Sequence, residues 1–394
     1  MEKNNKNLNV PNLRFPEFSG EWERCTIGDI TRNFSLRNKD KIQYPMFSVT
    51  NSRGFVPQSE QFEDREMIGE DIKAYKIIHE GDFAYNPARI NVGSIAKYDK
   101  SEPCMISSLY VCFKALPQIN NEWLMQLLKT PKMNFYYNVN GEGGVRVYLF
   151  YPNFARIRTS YPSLAEQQKI ASFLSLLDQR IETQRKIIED LKKLKDAICN
   201  MNFTSGSALK LGNVGKFVRG LTYSASDVID DTMGTAVMRS NNISNGDPAN
   251  FEELVWVNKT PNPEQILRGG DIIICMANGS SPLVGKASYY IDCGMESATV
   301  GAFCGIYRSY NPLTKWLFQS KHYKKHIQRC IQGGNGAIAN IYPEDILAIS
   351  FNIPSGYERV LNVLNSLEEK CLLEQKLLYR YLAVKSHLLA QLFI

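Results

Sequence analysis

Between residues 170 and 203 apolar side chains return at alternating steps of four and three. Ile170, Leu174, Leu177, Ile181, Ile188, Leu191 and Ile198 share one seam, with Gln184 and Lys195 occupying two further places on it. The pattern recurs 190 residues later in Val360, Leu364, Leu367, Cys371, Leu378, Tyr381 and Leu388, interrupted at the matching positions Glu374 and Lys385. Such spacing marks an α-helix with one face against a partner helix. A second apolar row beside each seam (Phe173, Ile187, Leu194; Val363, Leu377, Val384) widens the stripe enough for more than one neighbour. At 1.5 Å per residue each helix is a rod of about 45 Å. Two unrelated amphipathic helices would have no reason to share the positions of their polar interruptions.

The stretches between the helices repeat as well. Each carries a Gly-Asp turn into an apolar strand, "EGDFAY" (80–85) and "GGDIII" (269–274). Each continues through a polar loop closed by glycine and lysine, "NPARINVGSIAK" (86–97) and "MANGSSPLVGKA" (276–287). Strand-like runs follow, "SSLYVCFKA" and "TVGAFCGIY", then a helix with Trp123 or Trp316, then a glycine-rich loop ending in Tyr-Pro. β-branched and aromatic residues dominate, so strands outnumber helices in these parts. The expected class is α+β: two β-rich globular domains in tandem, each followed by a long helix, the helices packing antiparallel as a coiled-coil spacer with pseudo-twofold symmetry. The expected boundaries are a lead-in over 1–20, a first domain over 21–162, a helix over 163–203, a second domain over 204–354 and a second helix over 355–394. The segment before Trp22 should then lie near Phe393.

Composition narrows the class. A chain of 394 residues exceeds what one core usually supports. Nothing in it is an apolar run long enough to span a membrane, and the start lacks a secretory core, so a cytoplasmic protein is expected. The nine cysteines are scattered without a CxxC pair, which points to reduced thiols and not to a disulfide or zinc framework. The net charge of +6 is compatible with a polyanionic partner.

Catalytic motifs fail on inspection. In "GSSPLVGKAS" a phosphate loop would need glycine at Ser280 and a hydroxyl at Ala287, and "GNGAIA" (334–339) follows a basic helical stretch where a dinucleotide fingerprint follows a strand. "YNPAR" (85–89) has Ala88 and Arg89 where an amino-methyltransferase motif has proline and an aromatic. His322, His326 and Cys330 could share a helix face, but Lys321, Lys324, Lys325 and Arg329 crowd it with positive charge. No catalytic or metal-ligating set emerges, and the chain reads as a binder with no cofactor of its own.

The opening "LRFPEFSGEWERCTIGDI" (13–30), "EGDFAYNPAR" and "YPSLAEQQKIASFLSLLDQRIETQ" (161–184), together with the whole arrangement, closely resemble the DNA-specificity subunit of type I restriction–modification enzymes. The second helix entry, "PSGYERVLNVL", departs from the "P-x-L-x-E-Q-x-x-I" form of the first. The resemblance implies two target recognition domains, each reading half of a bipartite double-stranded DNA target, and helices that set the spacing. It also implies docking of two modification subunits that methylate adenine with S-adenosylmethionine, and of motor-nuclease restriction subunits that use ATP and Mg. A coiled-coil adaptor that binds no DNA is the alternative reading.

Base edges and phosphates are met by Arg, Lys, Asn and small hydroxyls on loops. The first domain offers Asn51, Ser52, Arg53, Asn86, Arg89, Asn91 and Arg146. The second offers Arg239, Ser240, Asn241, Asn242, Asn278, Ser280, Ser281, Lys286 and Asn335. Asparagine also shapes turns, so these candidates act as clusters more than singly.

Overall fold

A computed structural model describes residues 9–61, 72–143, 148–295, 297–333 and 338–394. The chain forms two compact units, Met1–Arg185 with Lys376–Ile394, and Lys186–Gln375. Among the described residues no helix is long and apolar enough to cross a membrane.

The first unit is built on strands β1 (Thr31–Phe34), β2 (Phe83–Tyr85), β3 (Ile95–Lys97) and β4 (Val111–Ala115), in the order β1-β4-β2-β3, with every pair antiparallel. The second unit repeats this with β5 (Gly215–Arg219), β6 (Ile272–Cys275), β7 (Ala287–Tyr289) and β8 (Cys304–Ser309), ordered β5-β8-β6-β7. The Gly-Asp turns enter the same place in both. Gly81 and Gly270 take φ of 83° and 89°, a left-handed conformation that glycine reaches without steric cost. Asp82 accepts from the His79 amide at 2.9 Å, and Asp271 from the Arg268 amide at 2.8 Å. From the neighbouring strand a cation answers each aspartate. Lys114 lies 3.2 Å from Asp82, and Arg308 binds Asp271 through Nε and Nη2 at 2.8 and 2.6 Å.

The long helices are α1 (Leu164–Asn202) and α2 (Tyr357–Gln391), and both contribute to both units. The seam points inward as its spacing requires. Ile170, Leu174, Ile181, Ile188 and Leu364 are buried, and Leu177, Leu191, Val360, Leu367, Leu378, Tyr381 and Leu388 are half-buried. Within each unit the helices run in opposite senses. In the first, Asp178 meets Lys385, and the Arg180 Nε donates to the Tyr381 hydroxyl at 3.1 Å. In the second, Lys195 meets Glu368 at 2.8 Å, while Cys199 and Leu364, each nearer a helix end, share one apolar core.

The start of α1 explains its local motif. Glu166 receives Arg14 through two nitrogens, at 2.8 and 2.7 Å, and the Trp22 indole N–H at 3.3 Å. Gln167 accepts from the Asn120 amide and donates to the Gln118 and Pro162 carbonyls. Ile170 then enters the core. The helix therefore starts locked to the domain on three sides. At α2 the entry has a left-handed Gly356 (φ 74°) with Glu358 and Arg359 exposed, which is the departure visible in its sequence.

Each helix end completes a domain core. Leu389, Leu392 and Phe393 join Trp22, Trp123 and Phe154 in the first unit. Cys199 and Phe203 join Trp316, Leu211 and Phe351 in the second. The expected closeness of the pre-Trp22 segment and Phe393 is present: the Leu13 amide donates to the Gln391 carbonyl at 3.0 Å, and the Trp22 and Phe393 rings lie 6.5 Å apart.

Candidate nucleic-acid interface

In the first unit a hairpin pairs Thr50 with Gly54, so Asn51, Ser52 and Arg53 form its exposed tip. The Thr50 hydroxyl closes the turn, accepting from the Arg53 amide at 3.0 Å and donating to the Gly54 carbonyl at 3.1 Å. Arg53 meets Glu60 at 3.3 Å, but both side chains are more than half exposed, so the pair holds the guanidinium weakly and leaves it free to exchange partners. The Ser94 hydroxyl donates to the Val49 carbonyl at 2.7 Å and draws the 86–94 loop against this tip. There Asn86 accepts from the Ala88 amide at 3.0 Å, Asn91 donates to Asn138 at 3.0 Å, and Arg89 stays exposed. The structure thus brings Asn51, Ser52 and Arg53 beside the loop of Asn86, Arg89 and Asn91.

Behind the tip lies a cavity of about 360 Å³, lined by Asn51, Arg53, Lys97, Lys100, Lys129 and Asp178. Lys97 is neutralised by Asp99 and Glu122. Burial, then the neighbouring Lys385 ammonium, lowers the Lys129 pKa from its ordinary value. Of those lysines, Lys97 ends β3, Lys100 lies in the loop after it and Lys129 in the turn after the helix Asn121–Leu128; none of them was among the loop candidates of the sequence. Arg146 falls outside the described residues.

In the second unit the strand Thr235–Met238 runs into Arg239 and a short turn, Ser240–Asn242. Asn242 is 0% exposed. It accepts from the Arg239 amide and donates to the Asn250 and Glu252 carbonyls, so its amide shapes the loop from inside. Arg239 and Asn241 are exposed. Asn278 donates to Ser240 at 3.1 Å and accepts from the Ser280 amide at 2.8 Å, which ties the second loop to the first. Arg239, Ser240 and Asn278 line a cleft of about 400 Å³ with Tyr223, Phe303 and Ile338. Ser280, Ser281 and Lys286 lie outside its lining. Asn335 falls outside the described residues.

Both loop pairs therefore present amides and a guanidinium on a clamped backbone, the groups that hydrogen-bond base edges and phosphates. The His322 ring packs 5.0 Å from that of Phe351. Among the described residues no cluster of His, Cys, Asp or Glu could hold a metal ion.

Residues 19–193 match the family model described as type I restriction modification DNA specificity domain. The chain is 31% identical over 156 residues to the type I restriction enzyme EcoKI specificity subunit of Escherichia coli K12, covering 36% of this chain and 32% of that protein. It is 32% identical over 158 residues to the StySPI specificity subunit of Salmonella potsdam, covering 37% and 32%. The aligned part thus spans about a third of each of these relatives. Its fold resembles the crystal structure of a type I restriction–modification S subunit from M. genitalium, with TM-score 0.54, 14% identity, and 98% and 99% of the two chains covered.

Proposed function

We infer, from a chain whose residues 19–193 carry a type I restriction–modification DNA specificity domain, that it serves as the specificity subunit of such a complex and reads a bipartite double-stranded DNA target without catalysing a reaction itself. One observation carries the reading. The two units repeat a single strand order and a single Gly-Asp turn, yet differ in the chemistry of their loops, with Arg89 and Asn91 in one and Asn278 and Ser280 in the other. A matched scaffold with unmatched loops suits two half-sites of different sequence.

The long helices set the separation of the half-sites. Their outer rows keep apolar side chains at the surface: Ile187, Leu194, Val363 and Val384 are exposed, and Phe173 is exposed beside the Phe15 ring. That surface would receive two adenine-methylating modification subunits, which would bring S-adenosylmethionine. Restriction subunits would supply ATP- and Mg-dependent movement and cleavage.

Exchange of residues 21–160 for those of a relative with a different target tests the reading. Methylome sequencing should show one half of the modified sequence changed and the other intact. Changes in both halves would exclude independent reading. An anisotropy titration of the assembled complex that gives no sequence preference would leave the DNA-free adaptor as the better account.

A further inference from the structure

Leu109 and Phe303 are exposed large apolar side chains, 77% and 64% accessible. Their positions are equivalent. Lys114 and Arg308 are the matched cations that meet Asp82 and Asp271, and Leu109 and Phe303 each stand five residues before them. Both therefore occupy the turn that leads into the central strand, β4 or β8.

Each turn is held in place. The Phe303 carbonyl accepts from the Met276 and Ala277 amides at 2.8 and 3.1 Å, and the Cys304 amide donates to Gly301 at 2.8 Å. The Tyr110 amide donates to the Ser107 carbonyl at 3.2 Å, the Tyr110 hydroxyl accepts from the Val49 amide at 3.2 Å, and Lys76 donates to the Tyr110 carbonyl at 2.5 Å. A mobile loop could fold an apolar side chain away from water, whereas these clamped turns hold theirs outward.

Their neighbours are the polar candidates. Phe303 shares its cleft with Arg239, Ser240 and Asn278. Tyr85 pairs with Val111, which sets the Leu109 turn beside the loop that begins at Asn86. An exposed apolar group at the same place in both units, set among amides and guanidinium groups in loops of otherwise different chemistry, fits a duplex better than water. Apolar side chains meet thymine methyl groups in the major groove, or wedge between base steps.

We propose that Leu109 and Phe303 each press an apolar side chain against the bases of one half-site, as specificity-determining contacts. This rests on the DNA-reading role inferred above. The test uses the specificity subunit assembled with its modification subunits and duplexes carrying the target found by methylome sequencing. Leu109→Ala and Phe303→Ala should each weaken cognate binding about ten- to a hundredfold. Binding to scrambled duplex should be unchanged, and each variant should relax modification in its own half-site only. Phe303→Leu should retain most of the binding.

Replacing thymine by uracil, position by position, should reproduce the loss if a methyl group is met. A rise in 2-aminopurine fluorescence on binding, absent from the alanine variant, should appear if a base step is opened. Either result supports the contact. Unchanged cognate binding, an equal loss on scrambled duplex, or failure of the modification subunits to co-purify would overturn it, the last by making these turns protein contacts. Lack of any preference by the wild-type complex would instead remove the DNA-reading role, and this proposal with it.

Discussion

The ring of Phe393 lies 5.9 Å from that of Trp123, so a residue just beyond α2 completes a core whose other members are mostly encoded more than 200 positions earlier. Phe203 does the same beside Trp316 in the second unit. Phe393→Ala should cost the first unit about 3–5 kcal/mol, the range for a buried aromatic replaced by alanine. Phe203→Ala should cost the second unit a similar amount. Hydrogen exchange read by mass spectrometry checks this: loss of protection should concentrate in residues 9–185 for the former and 186–375 for the latter.

Lys195 and Glu368 form an ion pair with side chains 5% and 6% exposed, and the Tyr289 hydroxyl donates to the same carboxylate. Lys195→Ala strands a buried carboxylate and should destabilise the second unit by about 3–5 kcal/mol. The double variant Lys195→Met with Glu368→Leu should recover most of that loss, because no buried charge remains. Urea midpoints for the single and double variants decide it. Equal midpoints would mean that the pair adds nothing beyond packing.

Much of this architecture was legible in the residues. A seam repeated every three and four positions leaves a helix one way to face, and burial of Ile170, Leu174 and Leu364 follows from it. The placing of Gln184, Lys195 and Glu374 on the buried seam was also visible, but their partners were not. Glu368 sits one residue past the seam position Leu367, and only three-dimensional packing brings it to Lys195. The loops were read less well, for a physical reason. Asparagine serves equally as a reader and as a turn former, and Asn242 proved to be inside its loop. Leu109 and Phe303 were hidden in strand-like runs, where an apolar residue predicts burial. Their exposure depends on turns formed by backbone hydrogen bonds, which composition does not record.

Thiol chemistry gives a third expectation. Burial pushes the thiols of Cys104, Cys112, Cys199 and Cys304 up to about 12. A raised thiol pKa means that at pH 8 these side chains stay neutral, and the neutral form is unreactive. Cys293 is exposed. Native labelling with iodoacetamide at pH 8 should therefore modify Cys293 well before those four, as peptide mass spectrometry would show. In urea all should react.

The helices give a fourth. Four-residue insertions after Arg185 in α1 and after Gln375 in α2 add about 6 Å and slightly more than one turn, so both seams nearly keep register. If these helices space the half-sites, the unread gap in the target should lengthen by about one or two base pairs, with both half-sequences unchanged. Two-residue insertions rotate the seam by about 200° and should abolish assembly with modification subunits. Methylome sequencing measures the gap, and an unaltered gap in the four-residue variant would exclude the helices as the spacing element.

Completion of the first core by Phe393 also sets an order of events during synthesis. Residues 9–185 emerge from the ribosome with Trp22 and Trp123 lacking the side chains that cover them. The missing stretch, residues 376–394, follows only after the whole second unit has been translated. At typical elongation rates of roughly 5–20 residues per second, that interval lasts on the order of tens of seconds. The second unit needs no such wait, since its own segment is continuous from Lys186 to Gln375. The domain made first is thus the one finished last, and the nascent chain carries an open aromatic core while the whole of Lys186–Gln375 is translated.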